Sequence, residues 1–149
     1  VKEAAVVDST CLIGLERIGR LDVLPALFNP ILIPPEVERE FGTSLPWLSM
    51  EAPTDLALLS ALKMLVDDGE AEAIALASQR DCRIVLDDRQ ARLVGTNLGL
   101  KVIGTVGVLV KAKLGGVIST LKPVLDDLEA NGFYLSGALK EEALRLVGE

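Results

Sequence analysis

The sequence predicts an α/β fold with a parallel sheet, and three observations carry that prediction. Short apolar runs without polar alternation recur along the chain, segments with helical spacing separate them, and no repeat, low-complexity tract or linker interrupts the alternation. Strands covered on both faces read as continuous apolar runs, and strands alternating with helices build parallel sheets through right-handed crossovers. A chain of 149 residues suits one domain, 1–149, with one hydrophobic core.

The strands are expected at Ala4-Ala5-Val6-Val7, Ile31-Leu32-Ile33, Arg83-Ile84-Val85-Leu86 and around Lys101-Val102-Ile103. After the first, Leu12, Leu15 and Ile18 form a helical stripe, and a short helix follows from Leu21 to Phe28. Pro34-Pro35 opens the next helix, since proline is tolerated in the first turn. Thr54 to Val66 reads as a helix with Leu58, Leu59, Leu62 and Leu65 on its stripe, and the Ala-rich stretch Glu70 to Gln79 is a strong helix former. Further helices are expected over Arg89–Leu98, Val106–Leu114, Leu121–Asn131 and Gly137–Val147.

Composition removes several function classes. Histidine is absent, which excludes a His-dependent triad, a His-based metalloprotease and a Cys2His2 finger. Cys11 and Cys82, the two cysteines, make neither a zinc site nor a disulfide framework, and neither has a histidine to activate it. Aromatics are only 3 %, which disfavours broad base stacking on aromatic platforms. The net charge of −7 argues against coating duplex DNA by bulk positive charge. The charge is uneven, however: residues 80–122 carry eight basic and three acidic side chains, so a locally basic middle can still meet a polyanion. No apolar run approaches the ~18 residues of a membrane span and no secretory leader is recognisable, so the expected location is cytoplasmic. Neither a Gly-x4-Gly-Lys-Ser/Thr loop nor a Gly-x-Gly-x-x-Gly fingerprint occurs.

The acids are more informative. Ligands of open α/β sheets bind outside the carboxyl ends of the strands, and two apolar runs end there in Val6-Val7-Asp8 and Val85-Leu86-Asp87-Asp88. Taken singly, Asp8 with Ser9 and Thr10, or Asp88 before Arg89, can be read as a helix cap. Two such acids on one sheet edge favour a shared cation site, because unpaired carboxylates beside buried strands are costly. On the helix after Pro35, Val37 and Phe41 face the core, and Glu40 borders that stripe while Glu38 points away. Glu70 aligns with Ile74 and Ala77, beside the buried face, where it either meets the helix dipole or serves the cation. Glu72 aligns with Leu76 and Gln79 and is read as a solvated charge. An oxygen-only cluster of Asp8, Glu40, Glu70, Asp87 and Asp88 suits Mg²⁺ or Mn²⁺ rather than zinc. Metal can then take over the work of the missing histidine in phosphodiester hydrolysis.

These residues resemble the PIN-domain nucleases, including the toxins of VapBC-type toxin–antitoxin pairs, over nearly the whole chain. The resemblance rests on Asp8-Ser9-Thr10 after the first strand, on Pro34-Pro35-Glu36-Val37-Glu38-Arg39-Glu40-Phe41, on Gly69-Glu70-Ala71-Glu72-Ala73 and on Ile84-Val85-Leu86-Asp87-Asp88-Arg89. With Asp87-Asp88-Arg89-Gln90-Ala91-Arg92 and Gly104-Thr105-Val106-Gly107-Val108-Leu109, the chain is similar to a subgroup of predicted PIN nucleases. The resemblance implies a three-layer α/β/α sandwich with a central, mainly parallel sheet. It also implies a Mg²⁺- or Mn²⁺-dependent ribonuclease acting on single-stranded RNA, with Asp8, Glu40, Glu70 and Asp88 as catalytic and metal-binding acids and Asp87 as a further metal ligand. Homodimers and a protein antitoxin accompany many members. Ser9 and Thr10 are the candidates for hydrogen bonds to a carboxylate or a ligand water, with Thr10 preferred. Arg89 and Arg92 read either as phosphate contacts or as a solvated helix face, with Arg92, four residues after Asp88, preferred as a contact to a phosphate or a carboxylate, and Lys111 and Lys113 following along the basic stretch. Gly132-Phe133-Tyr134-Leu135 and the last helix read either as core or as a surface for a dimer partner or antitoxin. The competing function is a catalytically weak PIN-like module that binds nucleic acid or protein.

Overall fold

The computed structural model describes residues 1–149, and its organising element is the first strand. β1 (Glu3–Val7) is flanked by β2 (Phe28–Ile33) on one side and β4 (Arg83–Val85) on the other. β3 (Leu48–Met50) extends the sheet beyond β2, and β5 (Val102–Ile103) extends it beyond β4. The order is β3-β2-β1-β4-β5 and every pairing is parallel. Register puts Val6 beside Leu32 and Ile84, and Val7 beside Val85.

Alternation along the strands divides the core. Ala5, Val7, Ile31, Ile33 and Val85 face one layer, where they meet α1 (Ser9–Arg17), α2 (Val23–Leu27), α3 (Pro35–Phe41), α7 (Thr105–Leu114), α8 (Lys122–Ala130) and α9 (Gly137–Leu146). Val6, Leu32, Ile84 and Leu86 face the other, under α4 (Leu56–Leu62), α5 (Asp68–Arg80) and α6 (Arg89–Asn97). The result is a three-layer α/β/α sandwich. Its interior is aliphatic, with Phe28 the only aromatic among the largest fully buried side chains.

The strand and helix expectations hold with four physical corrections. β3 was not expected, because Leu48-Ser49-Met50 is a three-residue edge strand, mostly exposed and without an apolar run. Phe28 belongs to β2, so the short second helix passes into a strand without a loop. The Thr54–Val66 helix is confined to α4: Leu62 is buried, Leu58 and Leu59 are partly covered, and Leu65 is exposed beyond the helix end. α5 starts earlier than Glu70, at Asp68, because Asp67 caps it. No helix is long and apolar enough to cross a membrane.

Candidate metal centre

In the order β3-β2-β1-β4-β5 the chain winds outward from β1 to one side and then restarts on the other, so the topological switch lies between β1 and β4. A crevice forms at such a point outside the carboxyl ends of the strands. Asp8 follows β1, and its backbone N–H donates to the Val85 carbonyl of β4 at 3.2 Å, which ties the two strand ends together. Asp87 and Asp88 follow β4. α3 packs against both α1 and α5 and carries Glu40 to the same edge. α5 brings Glu70 in its first turn.

Asp8 is the most constrained of these acids. It occupies the cap position of α1 yet makes no side-chain capping bond, so the capping explanation fails for it. Only 4 % of the residue is exposed, and Oδ1 is buried without a hydrogen-bond partner. Burial pushes its carboxyl up to about 7, and the charges of Asp67, Glu40 and Asp87 push in the same direction. Glu70, 8 % exposed, is likewise driven up to about 7, first by burial and then by Asp67, with Asp88 and Asp8 adding to it. Glu40 is raised by burial, with Asp67 and Glu36 contributing.

The other carboxylates are held by specific donors. Asp88 does cap α6, accepting the Ala91 N–H at 3.0 Å. Asp87 accepts both the Thr105 N–H (2.8 Å) and the Thr105 hydroxyl (2.6 Å) at the start of α7. Thr105 is fully buried, so its side of the pair is sheltered from competing water, while Asp87 is half-buried. Ser9 Oγ donates to Glu40 Oε1 at 3.2 Å, whereas no bond from the exposed Thr10 to a carboxylate is present, which reverses the expected preference. Glu40 lies against the first turn of α5: a Cβ on residue 69 would be 2.5 Å from Glu40 Oε1, so glycine leaves the space the carboxylate occupies.

Asp67 was missed. Its side chain accepts the Glu70 N–H at 2.8 Å, and Glu70 Oε1 accepts the Asp67 N–H at 3.3 Å, a capping box at the head of α5. The signal was present in Asp67-Asp68-Gly69-Glu70, whose first and fourth residues have the capping spacing. Asp67 also contributes to the raised pKa of Asp8, Glu40 and Glu70, which makes it a member of the acidic edge. Glu72 is not a solvated charge. It is half-buried and accepts the Glu36 N–H of α3 at 3.0 Å, fastening α3 to α5.

A cavity of about 980 Å³ opens against Asp87 and Asp88, with Arg89 and Arg92 on its wall. Arg92 does not pair with Asp88. Its guanidinium lies over Gly104, close to Asp87, and reaches toward the Leu86 carbonyl. Lys111 is elsewhere, 4.0 Å from Glu3 at the start of β1 and so at the far end of the sheet. Cys11 is buried and its thiol is pushed up by desolvation, which suits core packing. No three of the acids converge into a ready coordination sphere. Glu70, Asp87 and Asp88 each hold backbone or hydroxyl donors instead.

A family model described as DUF3368: PIN domain matches residues 4–149. The chain belongs to the PIN-domain family. Among solved structures it is similar to a PilT N-terminus domain protein from the hyperthermophilic archaeon Sulfolobus solfataricus P2, with a TM-score of 0.51 and 14 % identity over 73 % of this chain and 92 % of that one. At that identity the likeness concerns the fold. No curated protein matches the chain.

Proposed function

We propose that this PIN domain is a Mg²⁺- or Mn²⁺-dependent endoribonuclease that hydrolyses phosphodiester bonds of single-stranded RNA. The observation that carries the reading is Asp8 Oδ1: a buried, unpartnered carboxylate oxygen at the switch point, with other acids around it. Such an oxygen wants a cation, and the surrounding donor set is oxygen only, which fits a hard divalent ion. The open space over Gly69 lets Glu40 approach from α3. Asp8, Glu40, Glu70 and Asp88 would hold the ion, directly or through water, with Asp87 as an auxiliary. Bound there, the ion supplies Lewis-acid stabilisation of the phosphodiester oxygens and activation of water.

The chain's own residues have distinct tasks. Ser9 orients Glu40, Thr105 fixes Asp87, and Asp67 sets the start of α5 and so the position of Glu70. Arg89 and Arg92, beside Asp87 and Asp88 on the cavity wall, bind phosphate oxygens. By analogy with toxin members of the family, the protein would act as a homodimer restrained by a protein antitoxin.

The test is incubation with mixed single-stranded RNAs, with and without Mn²⁺ or Mg²⁺, beside Asp8→Asn and Asp88→Asn. Cleavage that needs the metal and is lost in both folded variants is the expected result. The dispersed carboxylates also favour a second reading, a PIN-like binding module with little catalysis. Asp8-dependent metal binding without cleavage of any RNA would select that module.

A further inference from the structure

The cavity beside the acidic edge gathers the arginines that have no carboxylate partner. The chain has eight arginines. Five are ion-paired: Arg20 with Asp22, Arg39 with Glu36, Arg80 with Glu51, Arg83 with Glu3 and Arg145 with Glu142. The three without a carboxylate partner, Arg17, Arg89 and Arg92, all line this cavity. On a protein of net charge −7, leaving three cations unpaired along one groove favours an anionic occupant. The groove also holds the chain's sole tyrosine and one of its three phenylalanines. Gly132, at φ +91°, turns the chain beside the Arg17 guanidinium. Phe133 then lies against Gly14 of α1, where a Cβ would stand 3.0 Å from the ring, while Tyr134 is 86 % exposed. One ring is thereby fixed in the wall and its neighbour is presented to the groove.

We infer that this groove binds the RNA strand flanking the scissile phosphate, with Arg17, Arg89 and Arg92 on successive phosphates and a base stacked on Tyr134. The inference rests on the nuclease reading for the direction of the strand, which runs from the acidic edge at Asp87 and Asp88 toward Tyr134. An aromatic face and a guanidinium row together suit a nucleic-acid strand, since bases stack on any ring and phosphates recur at regular intervals. An acidic protein segment would use the cations but has no comparable use for the exposed ring. The low aromatic content disfavours an extended stacking platform but leaves room for a single stacking position. Arg17, on α1, lies about sixty residues before the basic middle that the sequence marked.

The experiment measures binding of a fluorescent single-stranded RNA in the presence of chelator, so that cleavage does not intervene. Tyr134→Ala is expected to weaken binding about 5- to 10-fold and Tyr134→Phe to retain it, as stacking requires. Arg17→Gln is expected to lower the slope of log K against log salt by about 0.7. Arg145→Gln, which removes a paired arginine outside the groove, should leave both unchanged. Wild-type affinity and salt slope in Tyr134→Ala and Arg17→Gln would overturn the inference, as would displacement of the RNA by polyglutamate at equal charge. The two readings fail separately. Metal-dependent, Asp8-dependent cleavage with no effect of Arg17 or Tyr134 on binding removes the groove alone. RNA held through Arg17 and Tyr134 but never cut removes the nuclease alone.

Discussion

Replacing Asp8 by asparagine should stabilise the metal-free protein at neutral and higher pH. Asp8 is buried with one oxygen unpartnered, and its carboxyl is raised from 3.8 to about 7. The sign follows from proton linkage. Below about pH 4 the group is protonated in both folded and unfolded chains, so its ionisation has no effect on stability. Between there and about pH 7 the unfolded chain ionises and the folded chain does not, so folding loses about 1.4 kcal/mol per pH unit. Above about pH 7 the full difference, on the order of 4 kcal/mol, has been lost. Asparagine keeps the shape and polarity but cannot ionise. Urea unfolding with chelator, at a series of pH values, should therefore show Asp8→Asn gaining on wild type through that window and levelling off beyond it. Taking the difference between the two proteins cancels Glu36 and Asp126, whose shifts owe nothing to Asp8, whereas Glu70, raised in part by the Asp8 charge, relaxes in the variant and adds to its gain. Adding Mn²⁺ above pH 7 should close most of that gap: an ion at a hundredfold excess over its Kd adds about 2.7 kcal/mol to the protein that binds it. A difference between the two proteins that does not vary with pH would refute the claim that Asp8 is strained by burial. A Mn²⁺ effect of equal size in both would refute its role as a ligand.

Gly69→Ala places a methyl group where Glu40 Oε1 now lies, so metal-dependent cleavage should fall about tenfold, while the added helix propensity leaves stability unchanged or up to about 1 kcal/mol higher; thermal melts and kinetics on one preparation separate the two effects. Thr105→Val removes the buried hydroxyl donor to Asp87 and should cost about 1–3 kcal/mol, read as a shift in the urea midpoint. Asp67→Asn retains a capping acceptor but removes a charge, so NMR titration should show the carboxyls of Asp8 and Glu70 moving down toward their ordinary range.

Periodicity made the fold legible because each core strand is covered on both sides and each helix over it carries a stripe. It fails where burial stops: β3 has one strand neighbour and little cover, and Leu65 belongs to the leucine spacing but lies beyond the end of α4. The candidate site was legible to the extent that a strand end identifies itself. Asp8, Asp87 and Asp88 were found that way, and Glu40 and Glu70 by their helix faces. Asp67 and the roles of Ser9 and Glu72 were not, since each depends on which loop or helix lies opposite, a relation between α1, α3 and α5 that no local pattern encodes. The same holds for Arg17 and Tyr134, which only the packing of α1 against α8 and the segment after it brings together.

Six carboxylates along one edge need an explanation even before a cation is considered. Part of it lies in where the helices begin. α1 starts at Ser9, α5 at Asp68, α6 at Arg89 and α7 at Thr105, and the acids Asp8, Asp67, Asp88 and Asp87 stand at or against those starts. Helix N-termini present unpaired N–H groups and the positive end of the macrodipole, each stabilising a nearby carboxylate by about 0.3–1 kcal/mol at exposed positions. Three of the four acids use those N–H groups directly. Asp8 makes no such capping bond: only the adjacent Ser9 N–H acts on its carboxylate, and Oδ1 has no partner. The fold thus supplies amide donors to the acids around the crevice and leaves the central one, tied by its own backbone to β4, with an oxygen free. In a protein without histidine, that asymmetry concentrates the demand for a cation at one atom and leaves its neighbours already oriented around it.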